Sequence, residues 1–187
     1  HRDIFDVISF ASINNAITSV TTNGTTISNY TLSRKVVESG LDFIFLSLDS
    51  YSARIHDKFR GRGVRDKVMA TIDFLILAKK ELNKEKPYIY INSLIMKDNL
   101  NELIDLIKWT KEKNLDGITF QPIASPSFFC GLRIKNDYWF KRSRLWPDLN
   151  DVLHFIDTIE EMKKFGYPIK NSEKDFIRFR SYFVDPV

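Results

Sequence analysis

The sequence has 187 residues, with 28 Lys or Arg against 24 Asp or Glu and a formal net charge of +4. That length suffices for one domain with a real core, and so mild a positive balance is not that of a dedicated nucleic-acid binder. One cysteine excludes a disulfide framework and a structural zinc built from cysteine pairs, and three scattered histidines (His1, His56, His154) make no metal site on their own.

No apolar run approaches the roughly 18 residues of a membrane span, and no signal peptide is visible. The chain opens at His1, close to a helical pattern over residues 4–10, and is expected to begin inside a larger protein. Residues 16–22 then read as a strand, closed by Asn23-Gly24. A short helix over 32–38 carries Leu32, Val36 and Val37, with Gly40 just past its end. The second strand, 43–48, closes on Asp49-Ser50, and the third spans 88–96. Both are apolar enough to predict burial on both faces.

Between these two strands, residues 50–63 read as a βα loop with Arg60-Gly61-Arg62-Gly63, followed by a long helix over 64–82. The apolar stripe of that helix is Val64, Val68, Ile72, Leu75, Ile76 and Leu82. A further helix over 100–113 opens with Asn99 and Glu102 in capping-box spacing, and the fourth strand is 117–122. Alternation of this kind implies parallel strands joined by right-handed crossovers, hence an α/β domain. Four βα units are half of a doubly wound sheet or part of a (β/α) barrel, and the opening near His1 favours the barrel.

After Pro122 the pattern changes. Phe128, Phe129, Tyr138, Trp139, Phe140 and Trp146 lie among Arg133, Lys135, Lys141, Arg142 and Arg144. An amphipathic helix is predicted over 151–165 and a last one over 173–182. The expected organisation is therefore a partial (β/α) barrel over residues 1–124. Residues 125–187 are an aromatic, basic segment and a helical C-terminal extension that bridges toward a further domain.

Ligands of parallel α/β folds bind beyond the carboxyl ends of the strands. Asn23, Ser47, Asp49, Asn92 and Gln121 stand at or near those ends. Such a set suits a polyol, amide or nucleoside ligand, because paired carboxylates and a strand-end lysine are both lacking. Each residue also has a plainer reading. Asn23-Gly24 is a turn, Asp49 a helix cap, Asn92 a partner for neighbouring backbone, and Arg60 a solvated side chain of an exposed turn. The joint occurrence on four successive strands carries the weight. Arg60, flanked by glycine, is placed to reach the rim and pair with a ligand carboxylate or phosphate.

Taken in order, the chain resembles the radical SAM superfamily. The series is Thr22-Asn23-Gly24, Ser47-Leu48-Asp49, His56-Asp57-x-x-Arg60-Gly61, Asn92, Asn99-x-x-Glu102-Leu103 and Phe120-Gln121-Pro122, over residues 17–123. The later Leu145-Trp146-Pro147, the stretch 166–172, and Tyr182-Phe183-x-Asp185-Pro186 resemble the bridge before a SPASM-type auxiliary-cluster domain. The resemblance implies strands three to six of a six-stranded partial barrel, with S-adenosylmethionine along the strand ends. By that likeness Ser47 and Asp49 hydrogen-bond the ribose or the amino-acid end, and Arg60 pairs with the methionine carboxylate. Asn92 holds a ribose hydroxyl, the backbone around Gln121 and Ile123 meets the adenine, and Asn23 at least shapes its turn.

The superfamily's Cys-x-x-x-Cys-x-x-Cys loop, which holds a [4Fe–4S] cluster, and its glycine-rich segment are absent here. Both are expected upstream of His1. Cys130 is read as a packed apolar residue, since a cluster needs convergent thiolates. The implied enzyme cleaves S-adenosylmethionine to a 5′-deoxyadenosyl radical, takes electrons from a flavodoxin- or ferredoxin-like donor, and acts in the cytoplasm on a small-molecule or peptide substrate. The 187 residues alone are expected to be inactive, and neither membrane nor nucleic acid is an expected partner. Two other readings stand beside it: a (β/α) barrel lyase or isomerase with Asp49 as base, and a non-catalytic module binding nucleic acid or a partner through residues 128–146.

Overall fold

The computed structural model describes residues 3–124 and 139–186; Phe128, Phe129, Cys130, Arg133, Lys135 and Tyr138 lie outside them, as does the side chain of Lys141. Helix α1 (Ile4–Ile13) leads into β1 (Ser19–Thr22). Next come α2 (Tyr30–Glu38), β2 (Phe43–Ser47), α3 (Ala53–Arg60), α4 (Val64–Glu81), β3 (Tyr88–Ile95), α5 (Leu100–Glu112) and β4 (Gly117–Pro122). A helical turn, Trp139–Arg142, precedes α6 (Leu149–Lys164) and α7 (Glu173–Val184).

The four strands form one parallel sheet in the order β1-β2-β3-β4. Strictly sequential order, with helical crossovers, is the arrangement of a barrel segment; a doubly wound sheet reverses its order at a switch point. Two carboxylates stitch the amino ends of the strands. Asp42 accepts the Thr18 N–H at 2.8 Å, and Asp116 accepts the Ile89 N–H at 2.7 Å.

Burial alternates strictly along β3 and along most of β2, which corrects the expectation that both faces of these strands are buried. Ile44, Leu46, Ile89, Ile91 and Ile95 enter the core, where they meet Val68, Ile72 and Leu75 of α4 and Leu103, Leu106 and Ile107 of α5. Each such side chain contributes about 1.5–3 kcal/mol relative to exposure. The opposite face carries Phe43, Phe45, Tyr88 and Tyr90, which are half-buried. Phe45 stacks on Tyr90 with ring centroids 5.1 Å apart. An aromatic wall of a lumen and a buried strand face share one composition, so hydropathy alone does not separate them.

Three further expectations change. The segment read as a loop over 50–63 is largely helical, with α3 between Ser52 and Gly61. It has no glycine or proline before Gly61, and it buries Ile55 and His56. Strand β1 starts at Ser19 rather than 16, because the Ala16 N–H still bonds to the Ala11 carbonyl at the end of α1. The predicted capping box at Asn99 is not formed: the Asn99 side chain makes no bond to the first turn of α5. The C-terminal extension packs into the same hydrophobic cluster through Val152, Phe155, Ile156, Ile159, Phe176 and Phe179. It also lays Ile169 beside Ile118 as an isolated parallel bridge on the outer edge of β4.

Candidate functional site

The site grows from the last residues of the strands. Register sets Thr21, Phe45 and Tyr90 side by side, and one step further Ser47, Asn92 and Thr119. Since these partners share a face, hydroxyl and amide groups follow the aromatic row toward the carboxyl ends. Thr21, Phe45, Asn92, Thr119, Gln121 and Phe179 line an open cavity of about 410 Å³. Thr119 Oγ1 shares its one proton between Asn92 Oδ1 at 3.2 Å and the Ile91 carbonyl at 3.3 Å, and Asn92 Nδ2 is unpartnered among the described residues.

Behind this wall lies a buried polar cluster around Asp49, whose exposure is 0%. Its carboxylate accepts Arg60 Nε at 2.6 Å, Arg60 Nη2 at 3.2 Å and the Leu94 N–H at 3.0 Å. Its main chain is held as well. The Asp49 N–H donates to His56 Nδ1 at 3.1 Å, and Asn99 Nδ2 donates to the Asp49 carbonyl at 2.7 Å. The Arg60 side chain keeps 30% of its surface exposed, against none for Asp49.

The His56-Asp57-x-x-Arg60-Gly61 run thereby resolves into separate jobs. His56 braces Asp49 from beneath, and burial pushes its imidazole below the ordinary histidine range, with Asp49 and Asp57 opposing and Arg60 and Arg65 adding to that push. Asp57 faces the other way and accepts the N–H groups of Gly63 at 2.6 Å and Arg65 at 2.9 Å, capping the start of α4. Those bonds, the Arg65 one first, hold its carboxyl below the usual range. Gly61 and Gly63 have φ of 105° and 74°, so the break between α3 and α4 needs glycine.

Of the residues singled out in the sequence, Asn92 and Gln121 meet in the cavity, and Ser47 stands beside Asn92 in register. Asp49 and Arg60 form the clasp behind them. Asn23 stands apart. It is exposed, and its Oδ1 accepts the N–H and the hydroxyl of Thr25 in an Asx turn. Ile123 already uses its N–H on the Ile95 carbonyl and its own carbonyl on the Tyr182 hydroxyl. Sequence reasoning missed Thr21, Phe45 and Thr119, each two residues before a selected position. The period-2 alternation of a strand was the signal that finds them.

No protein-family model matches the sequence. The chain is 31% identical over 184 residues to the probable GTP 3′,8-cyclase of Pyrococcus horikoshii, covering 98% of this chain and 51% of that protein. It therefore spans about half the length of the curated relative it matches. Streptococcus suis SuiB bound to its precursor peptide SuiA superposes with a TM-score of 0.63 at 16% identity, over 91% of this chain and 36% of that one. Native anSMEcpe with bound AdoMet gives 0.61 at 17% identity, over 81% of this chain and 39% of that one. The chain has the fold of a radical SAM partial barrel and is similar to radical SAM enzymes.

Within a radical SAM barrel the cavity described above fits the nucleoside part of S-adenosylmethionine. Its strand-borne wall offers neutral hydroxyl and amide groups beside flat aromatic surface, Asn92 Nδ2 is an open donor, and the one carboxylate on the lining, Asp175, is occupied by Ser172. An iron–sulfur cluster does not fit these residues. The described part holds no group of three or more His, Cys, Asp or Glu side chains able to bind a metal, and the sequence has one cysteine. Among the described residues no helix is long and apolar enough to cross a membrane.

Proposed function

We propose that this chain is the S-adenosylmethionine-binding part of a radical SAM enzyme. One observation carries the reading: Ser47, Asn92 and Thr119 stand in register on three adjacent strands, with the Asp49–Arg60 pair just beyond the end of β2. Asn92 would hold a ribose hydroxyl through its amide, with Ser47 beside it. Phe45 and Gln121 would border the base, together with the backbone near Ile123. Arg60, fixed by Asp49, would present its outer N–H groups to the methionine carboxylate. Asn23 would shape the turn after β1.

At a [4Fe–4S] cluster whose thiolates this one-cysteine sequence does not supply, one electron from the donor would cleave bound S-adenosylmethionine to methionine and a 5′-deoxyadenosyl radical, which would abstract hydrogen from a substrate. This chain's own residues bind and orient the nucleoside and the carboxylate. With one cysteine, the 187-residue chain alone is inactive. Among the structural relatives, one is bound to the precursor peptide SuiA and another to AdoMet and the Cp18Cys peptide, which supports a peptide among the candidate substrates here. A flavodoxin- or ferredoxin-like electron donor and a cytoplasmic setting belong to the same proposal.

The alternative of a lyase with Asp49 as base is disfavoured, because Arg60 and the Leu94 N–H occupy its oxygens and it is sealed from solvent. A nucleic-acid module is disfavoured too, because Trp146 packs on Tyr182 and Phe183 instead of presenting a stacking face.

The test is binding of radiolabelled S-adenosylmethionine to the full-length protein by equilibrium dialysis, for the native sequence and for Asn92→Ala. Saturable binding that Asn92→Ala weakens about tenfold is expected, as for loss of one well-placed hydrogen bond. Absence of binding to the native protein sinks the reading.

A further inference from the structure

His56 sits on α3 with no exposure at all, and its Nε2 is the single buried side-chain nitrogen or oxygen without a hydrogen-bond partner among the described residues. Its other ring nitrogen accepts the Asp49 N–H at 3.1 Å. An acceptor at Nδ1 requires the neutral ring with its proton on Nε2, the atom left without a partner. A buried donor without an acceptor is costly, so the ring sits here for its other nitrogen. Asp49 in turn has every polar group engaged. Arg60 and the Leu94 N–H take the carboxylate, Asn99 takes the carbonyl, and His56 takes the N–H.

We propose that His56 is a positioning residue: its neutral imidazole fixes the main chain of Asp49, and through it the Asp49–Arg60 pair that presents a cationic face at the strand ends. This rests on the proposed role of Arg60 toward a ligand carboxylate. The mechanical half, imidazole to Asp49 to Arg60, stands on the hydrogen bonds alone. Charged groups around the ring balance in sign, with Asp49 and Asp57 against Arg60 and Arg65. No single neighbour therefore forces the imidazole into its charged form. Protonation at Nδ1 would turn the acceptor into a second donor facing the Asp49 N–H and break the brace.

Three variants of the full-length protein separate this role from simple packing. His56→Asn keeps an acceptor near the Nδ1 position, His56→Gln moves the polar group toward the Nε2 position, and His56→Leu removes it. Two readouts are taken on each: hydrogen exchange of the Asp49 amide and the Arg60 Nε–H by nitrogen-15 NMR, and dialysis binding of S-adenosylmethionine. The native protein is expected to show the Nε2–H tautomer and slow exchange at both sites. His56→Leu and His56→Gln should speed that exchange at least tenfold and weaken binding by a similar factor, while His56→Asn stays within about threefold of native. An Nδ1–H tautomer, or equal exchange in folded His56→Asn and His56→Leu, overturns the proposal. Exchange that follows the expected order in a protein that binds no S-adenosylmethionine upholds the brace and removes the ligand reading instead.

Discussion

Asn99 Nδ2 donates to the Asp49 carbonyl at 2.7 Å, although 50 positions separate the two residues in sequence. The same amide donates to the Leu94 carbonyl at 2.8 Å and accepts the Met96 N–H at 2.9 Å. One wholly buried side chain thus ties the ends of β2 and β3 together. Asn99→Asp removes both donors and sets a carboxylate against two carbonyls. It should cost about 3 kcal/mol in urea unfolding of the full-length protein, with Asn99→Ala slightly milder. A loss below about 0.5 kcal/mol for both would show that the tie is dispensable.

Arg60 and Asp49 are expected to behave as a unit. Arg60→Met leaves the Asp49 carboxylate buried with only the Leu94 N–H, a situation that costs about 3 kcal/mol. Adding Asp49→Asn removes the stranded charge and should recover at least about 1 kcal/mol. Because Arg60 bonds through two nitrogens, Arg60→Lys should recover less than half of the Arg60→Met loss. Additive effects in the double-mutant cycle would contradict the pairing.

Gly117 allows the C-terminal extension to approach the sheet. A Cβ there would lie 2.5 Å from the Lys170 side chain and 2.8 Å from the Pro168 carbonyl. The carbonyl is fixed, since it accepts the Ile118 N–H at 2.9 Å. Gly117→Ala should therefore destabilise by about 2 kcal/mol, and adding Lys170→Ala should restore only part of it, because the backbone clash persists. Full rescue by the double variant would place the strain in the lysine alone.

The buried imidazole gives stability a pH limb with a definite sign. In the unfolded chain His56 takes up a proton near its ordinary value of 6.5, whereas burial lowers the folded value. The unfolded state therefore binds more protons, so stability is full above about pH 6.5 and falls as pH drops toward the folded value. Asp57 and Asp42, whose folded values lie below 3.8, add a second loss only in stronger acid. Chemical denaturation from pH 7.5 to 5 should show the first limb in the native protein and a shallower one in His56→Asn. Parallel slopes would assign it to other groups.

Much of this was legible beforehand. The four strands and the long helices follow from periodicity, and β4 was predicted over its full span, 117–122. The rim residues emerged from asking what stands at strand ends, and Asn92 with Gln121 does meet in one cavity. Local pattern failed where long-range bonds decide. The spacing of Asn99 and Glu102 suggests a cap, yet Asn99 is drawn to Asp49 and Glu102 accepts the Ser50 hydroxyl instead. Helix α3 was hidden because Gly61 and Gly63 dominate its segment while its burial depends on contacts distant in sequence. Asn171 could not be anticipated either. It bonds both the N–H and the carbonyl of Phe120, standing in for a neighbouring strand.

That substitution makes the two borders of the sheet unequal. On the β4 side, the Pro168 carbonyl and the Lys170 N–H already take the N–H and the carbonyl of Ile118, and Asn171 takes those of Phe120. On the β1 side the described residues pair only inward, with β2. A fifth strand would therefore find the outward backbone groups of the four-residue β1 unpaired and those of β4 partly taken. Among the described residues the open edge of the sheet is therefore β1, and the C-terminal extension guards the other.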